Sequence, residues 1–270
     1  MSATILSVQS HVAMGHVGNS AAQPLLQGLM GRDVWAVHTV AFSSHPGWEG
    51  WRGHVVDARD LEDVLCGLEL RWRESPAQAI LTGYFGDAEQ VEVMAQFIRR
   101  VRQSHPDVPY VCDPVLGDHG QRYVDGSIQE AFEQVLLPLA THTCPNTSEL
   151  EWLTSMPTRD TQQAAAAARA LGERFGCRVL ATGVREGGLQ HILSVRGSQV
   201  ARASGVHHPR EFAGCGDVFA ATYTSCLMDD MDEAQRLARC ARVLDGLLEH
   251  TVARAQRELA LVSYIQSQRA

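Results

Sequence analysis

The sequence predicts an α/β fold with a mostly parallel central sheet and helices on both faces. Three observations point there. Short apolar runs alternate with helix-periodic segments over most of the 270 residues. Several runs are apolar throughout, as strands covered on both faces must be. Polar and glycine-rich segments follow directly on the runs, where an open parallel sheet gathers its ligand site.

The elements follow in order. "TILSVQS" is a first strand, and "NSAAQPLLQGLMG" a helix closed by Gly31 with Pro24 near its first turn. "DVWAVHTV" is a buried strand and "LEDVLCGLELRW" a helix by its apolar spacing. "AILTGYFG" runs from a strand into a glycine loop. "AEQVEVMAQFIRRVRQS" is a helix, acidic at its start and basic at its end as the macrodipole prefers. "PYVCDPVLGD" is a strand and loop, "IQEAFEQVLLPLA" a helix, and "THTCPN" a short strand and turn. "SELEWLTS" and "TQQAAAAARALGERFG" are helices, and "CRVLATG" is a strand. "LQHILSVRGSQVARAS" reads as a β-hairpin, and two or three helices complete the chain. With no linker or repeat, residues 1–270 read as one domain.

Composition narrows the function. The net charge of −8 and the lack of a basic block argue against nucleic-acid binding. No apolar run reaches the length of a membrane span, and "MSATILSVQSH" lacks a signal peptide's features, so the cytoplasm is the expected location. The seven cysteines form no CxxC pair and read as reduced thiols. The twelve histidines show no zinc-ligand spacing, and the pair His207–His208 falls in an expected loop before Pro209. The chain contains no lysine: all 23 basic residues are arginine. That excludes a Walker A lysine, a lysine base and a Schiff base, and leaves arginine to meet phosphates.

The segment "EFAGCGDVFAATYTS" places two glycines and an aspartate at the mouth of a helix. Gly214, Cys215 and Gly216 can bring several N–H groups to one point at the positive end of that helix, an anion hole for a phosphoryl group in flight. Asp217 beside it has the chemistry to take a proton from a hydroxyl. Locally the same residues also suit a capped glycine turn. The other strand ends carry Ser10, His11 and His16, then the "FSSHPGWEGW" loop, then Asp113, Asp118 and Tyr123, then Asn146 and Glu149, then Thr182 and Gly183.

"SVQSHVAMGHVGNSAA", "VAFSSHPGWEGWRG", "LTGYFGDAEQ", "YVCDPVLGDHGQRYV", "LLPLATHTCPNTSELEWLT" and "AGCGDVFAA" occur in that order. In these motifs the chain resembles the bacterial pyridoxal kinases of the ribokinase-like superfamily, from about Ile5 to Ala221. The resemblance implies a Rossmann-like ribokinase fold and ATP-dependent phosphorylation of the 5′-hydroxyl of pyridoxal, pyridoxine or pyridoxamine. By that resemblance Asp217 is the base, and Gly214, Cys215 and Gly216 form the anion hole. Ser10 bonds the pyridine ring, and His45 and Gly47 lie in the loop that touches the vitamin. Asp113 and Asp118 sit near the phosphates and Mg²⁺, Tyr123 belongs to the loop over ATP, and Asn146 and Glu149 help place metal and phosphates. Thr182 and Gly183 line the nucleotide side. Mg²⁺ accompanies ATP, a need for K⁺ stays open, and a homodimer is the family expectation. The chain departs from the pattern at Met14, Ser44, Pro46, Cys144 and Thr182; Pro46 replaces a threonine hydroxyl in the vitamin loop. Cys215 beside an aldehyde substrate suggests a reversible hemithioacetal. Two alternatives remain: a hydroxymethylpyrimidine kinase, and a vitamin-binding protein with weak catalysis.

Overall fold

The computed structural model describes residues 3–206, 208 and 210–269. Met1 and Ser2 of the N-terminal segment, and His207 and Pro209 of the expected histidine loop, lie outside the described residues.

Nine strands form one sheet: β1 (Thr4–Val12), β2 (Asp33–Phe42), β3 (Gly53–Val55), β4 (Ala79–Thr82), β5 (Tyr110–Cys112), β8 (His142–Thr143), β9 (Arg178–Glu186), β10 (Leu189–Arg196) and β11 (Gln199–Val206). Their order is β11-β10-β9-β8-β5-β4-β1-β2-β3. The six strands from β9 to β2 run parallel, and β3, β10 and β11 are antiparallel additions at the two edges. The winding reverses between β1 and β4, which opens a crevice beyond their C-terminal ends. The parallel order is therefore as the apolar strand runs require. The short β3 is an addition: its three residues are exposed and carry no strand-like pattern, and Val40, Ala41 and Phe42 hold them in register.

Alternation along each strand divides the core. Leu6, Ile80, Tyr110 and Val179 face one layer, packed under α2 (Ala58–Trp72), α3 (Ala88–Ser104) and α6 (Thr161–Phe175). Their neighbours Ile5, Leu81, Val111 and Leu180 face the other, under α1 (Asn19–Gly28), α7 (Cys215–Cys226), α8 (Glu233–Ala253) and α9 (Leu261–Ser267). Asp57, Asp87, Asp160 and Asp232 cap the starts of α2, α3, α6 and α8, each side chain accepting a backbone N–H. From Val218 to Cys226, α7 is buried on every side, so its first turn stands on a rigid base.

Three local differences from the sequence reading have plain causes. Pro24 lies in the second turn of α1, not its first, because the helix already starts at Asn19 after the left-handed Gly18. The expected helix from 128 to 140 is broken: α4 (Gly126–Ala131) widens into a π-helical turn over 132–136 and ends in a 3₁₀ turn at 137–139, where Pro138 has no N–H to give. The loop after β5 contains a two-stranded ribbon, β6 (Gly117–Asp118) and β7 (Gln121–Arg122). Among the described residues, no helix is long and apolar enough to cross a membrane.

Candidate active site

The glycine turn before α7 is built by close packing. Gly214 is left-handed (φ +95°), and a Cβ there would stand 1.9 Å from the His16 carbonyl oxygen. The segment after β1 thus lies directly against the mouth of α7. Gly18 in that segment is also left-handed, and a Cβ there would stand 2.2 Å from Ser10 Oγ. The two glycines let Ser10, the 15–18 turn and the first turn of α7 meet.

Asp217 points from that first turn and keeps a partly accessible face. Burial of the rest raises its carboxyl from 3.8 to about 6, while the Gly18 N–H and its own N–H pull the other way. Asp113 follows β5. It is buried, its side chain has no hydrogen-bond partner among the described residues, and its pKa is pushed well up by burial and by the charges of Glu149 and Asp217.

Glu149 and Asn146 are tied together at the start of α5 (Thr147–Thr154). The Asn146 side chain accepts the Glu149 N–H, and Glu149 Oε2 accepts the Asn146 N–H at 2.9 Å. Glu149 Oε1 accepts the Leu116 N–H at 2.9 Å, and Asn146 Nδ2 donates to the Gly117 carbonyl at 2.8 Å. Together they clamp the β6–β7 ribbon to α5. Burial pushes the Glu149 carboxyl up despite these backbone donors. Among the described residues, no three His, Cys, Asp or Glu side chains are grouped to hold a metal by themselves.

A cavity of about 460 Å³ opens beside the α7 mouth. It brings together six of the expected residues: Asp118, Asn146, Thr182, Gly183, Cys215 and Gly216. Asn146 and Thr182 also meet in an isolated parallel bridge, which fixes α5's start against β9. Phe212 and Phe219 supply an apolar floor. Tyr123 does not line this cavity; it is 56% exposed beyond β7, with its N–H donated to the Leu116 carbonyl. Burial raises the Cys215 thiol to about 12, with Asp217 and Asp118 adding to the effect, so the thiolate needed for attack on an aldehyde is scarce at neutral pH.

The residues of the "FSSHPGWEGW" loop do not line this cavity and are tied instead to Arg257 and Glu258. His45 Nε2 lies 3.3 Å from Glu258 Oε1, and Trp48 Nε1 donates to the same oxygen at 2.5 Å. Arg257 covers the Trp48 ring at 3.7 Å. Gly47 and Pro46 are exposed at the loop's tip. Glu258 also acts on His16, whose pKa burial lowers while Glu258 opposes the change. Gln9 Oε1 and His16 Nδ1 are buried without a partner among the described residues, the first beside Ser10 and the second within the 15–18 turn. The His11 ring lies tilted against His38 at 4.4 Å, and its Nδ1 is 3.1 Å from Ser20 Oγ, so it is held by neighbours.

Glu258, Arg257, Arg185, Glu211 and the aromatic floor escaped the sequence reading. Glu258 sits in "RAQREL" with no motif around it, and its partner Trp48 is 210 residues away. Phe212 and Phe219 flank the glycine turn and were the more accessible signal.

The model of the phosphomethylpyrimidine kinase family matches residues 54–258. "Pyridoxal kinase PdxY" of Corynebacterium diphtheriae is 36% identical over 265 residues, covering 96% of this chain and 93% of that protein. The protein of the same name from Rubrobacter xylanophilus is 38% identical over 271 residues, covering 97% and 92%. The structure of pyridoxal kinase from Leishmania donovani in complex with ADP and pyridoxine superposes with a TM-score of 0.89 at 30% identity, covering 97% of this chain and 94% of that one. A left-handed glycine turn packed on His16, an aspartate at the head of a buried helix and a cavity of about 460 Å³ beside it agree with these likenesses across nearly the whole chain, which belongs to the pyridoxal kinase family of the ribokinase-like superfamily.

Proposed function

We propose that the chain transfers the γ-phosphoryl group of ATP to the 5′-hydroxyl of pyridoxal, and of pyridoxine or pyridoxamine. The observation that carries the reading is Asp217: partly accessible, at the head of α7, with a carboxyl raised to about 6. Above pH 6 it is ionised, yet more basic than an ordinary aspartate. That suits a group which takes the hydroxyl proton as the oxygen attacks. The N–H groups of the Gly214–Gly216 turn face the charge that develops in transfer, and the helix dipole adds to them. Holding the two substrates on opposite sides of the α7 mouth makes the attack intramolecular in effect.

In this reading Ser10 and the loop carrying His45 and Gly47 bind the vitamin, with Glu258 anchoring the loop. Closure of that loop keeps water from the phosphoryl group. Asp118, Asn146, Thr182 and Gly183 bind ATP, and Tyr123 belongs to the lid formed by the β6–β7 ribbon. Mg²⁺ on the phosphates would neutralise charge in the transfer. Asp113 fits it best. Its carboxyl is buried without a hydrogen bond and faces the charges of Glu149 and Asp217, a crowding that a cation relieves. Glu149 acts on that site through the ribbon it fixes. K⁺ is a variable for the assay. We place the reaction in the cytoplasm, carried out by a homodimer whose protomer is one kinase domain.

A second reading, a hydroxymethylpyrimidine kinase, is favoured by the family model that matches residues 54–258 and by Pro46, which offers the vitamin loop neither hydroxyl nor N–H. The test is ATP-dependent phosphorylation of pyridoxal, pyridoxine, pyridoxamine and hydroxymethylpyrimidine with Mg²⁺, with and without K⁺. A phosphate ester on pyridoxal that disappears in Asp217→Asn supports the first reading. Product from the pyrimidine alone replaces the substrate. Pyridoxal binding without product leaves a vitamin-binding protein. Light scattering at assay concentration tests the dimer.

A further inference from the structure

With no lysine in the chain, a nucleotide's phosphates must be met by arginine, backbone N–H groups or metal. Among the described residues, three arginines line the cavity beside α7: Arg159, Arg185 and Arg210. They are not equivalent. The Arg210 guanidinium lies over the Phe212 ring at 4.8 Å. Arg159 stands just ahead of α6, where its N–H is donated to Gln163 Oε1. Arg185 lies two residues past Gly183 on β9, and its Nη2 donates to Glu211 Oε1 at 2.9 Å. Glu211 precedes Gly214 by three residues, and its other oxygen lies 2.9 Å from His119 Nε2 at the tip of the β6–β7 ribbon.

His119, Glu211 and Arg185 therefore join the ribbon, the approach to α7 and the end of β9 across the mouth of the cavity. The Arg185 and Glu211 side chains are 51% and 54% exposed, so water competes for both and the pair is weak. Its surroundings are acidic: Asp118, Glu151, Glu211 and Asp245 line the same cavity, and Asp217 follows Gly216 in the first turn of α7 beside it. A triphosphate entering there meets carboxylates on several sides, and of the three arginines Arg185 is the one already held at the mouth by a carboxylate, its guanidinium half-exposed and not stacked on a ring. Arginine's planar fork offers two parallel donors to phosphate, and a phosphate dianion is a better partner than a half-exposed carboxylate.

We propose that Arg185 is the phosphate-binding cation of the nucleotide site, and that Glu211 holds it at the cavity mouth until a nucleotide phosphate takes the guanidinium over. The exchange breaks one ion pair and forms another; no covalent bond changes. It also frees Glu211 from Arg185, so the ribbon's His119 keeps the carboxylate as its own partner while nucleotide is bound. The inference rests on the kinase reading and names the cation that serves it.

Calorimetric titration of the full-length chain with ADP and, separately, with adenosine tests it. The proteins are the wild type, Arg185→Gln, Arg185→Lys, Glu211→Gln and the double variant Arg185→Gln/Glu211→Gln. Loss of a charged hydrogen-bonding partner predicts an ADP Kd raised about tenfold or more in Arg185→Gln, with the adenosine Kd unchanged and part of the loss recovered by Arg185→Lys. Glu211→Gln tightens ADP in the wild-type background and gives no gain once Arg185 is glutamine. Equal weakening of ADP and adenosine would show that Arg185 only shapes the pocket and would overturn the proposal. So would equal tightening by Glu211→Gln in both backgrounds, which marks simple repulsion of phosphate. Pyridoxal phosphorylation by the wild type is measured alongside. Its absence with the ADP pattern intact removes the kinase reading and leaves the Arg185 site standing.

Discussion

Replacing Asp217 with asparagine separates a catalytic base from a helix cap by the sign of its effect on stability. A carboxyl lifted from 3.8 to about 6 carries about 3 kcal/mol against its ionised form in the folded protein. Its face toward the cleft is partly accessible, and solvent screening reduces that to about 1–2 kcal/mol. The penalty is fully present above about pH 6, shrinks as pH falls toward 3.8, and is gone below it, where the group is neutral in both states. Asp217→Asn removes the charge and keeps the shape. At pH 7.5 the variant should therefore melt higher than the wild type by several degrees, about 2–4 °C per kcal/mol for a chain of this size. The gain should vanish as the pH approaches 4. A first-turn acid serving only the helix dipole contributes about 0.3–1 kcal/mol of stability, and its removal would lower the melting temperature instead. In the same variant, kcat for phosphorylation should fall about a hundred- to ten-thousandfold, the usual contribution of a positioned general base. The wild-type rate should fall as pH drops through about 6, where the base becomes protonated. The assays are differential scanning calorimetry from pH 4 to 8 and initial rates over the same range. A lower melting temperature at pH 7.5 together with retained turnover would refute the reasoning.

Gly214→Ala places a methyl 1.9 Å from the His16 carbonyl at a left-handed φ, so the 15–18 turn must move; a melting temperature lowered by at least several degrees and loss of phosphorylation are expected, checked by calorimetry and turnover. Glu149→Ala strips acceptors from the Asn146 and Leu116 N–H groups in a buried site and should destabilise the protein by about 2–4 kcal/mol in urea unfolding. Glu258→Gln weakens the hold on His45 and Trp48; the KM for pyridoxal should rise severalfold while that for ATP stays put, and a change in Trp48 fluorescence would report the loosened loop. Iodoacetamide at pH 7.5 should label exposed Cys66 first and Cys215 slowly, with Cys215 labelling rising only in strong alkali, as followed by peptide mass.

Much of the architecture is written in short-range pattern. Runs such as "AIL" and "YVC" are apolar on every residue, so only a strand covered on both faces can hold them, and the helices between them leave a parallel sheet as the economical solution. Gly214 and Gly216 before an aspartate and an apolar helix announce a tight turn at a helix mouth, because such a turn needs nothing from elsewhere in the chain. Six of the expected residues line one cavity for the same reason: a parallel sheet delivers its strand ends to one edge. What the residues could not disclose depends on distant partners. The basicity of Asp217 follows from the protein packed around it and from the Gly18 N–H. Glu149 reads from sequence as a phosphate-side acid, yet both its oxygens accept backbone N–H groups, two of them in the loop after β5. Glu258 reaches Trp48 across 210 residues, and Arg185 meets Glu211 only because β9 and the approach to α7 come together at the cavity mouth. Local sequence determines where the chain turns, caps and buries an apolar face. The pKa of a carboxyl and the partner of an arginine are set by desolvation and by charges within a few ångströms, and only the folded chain brings those neighbours together.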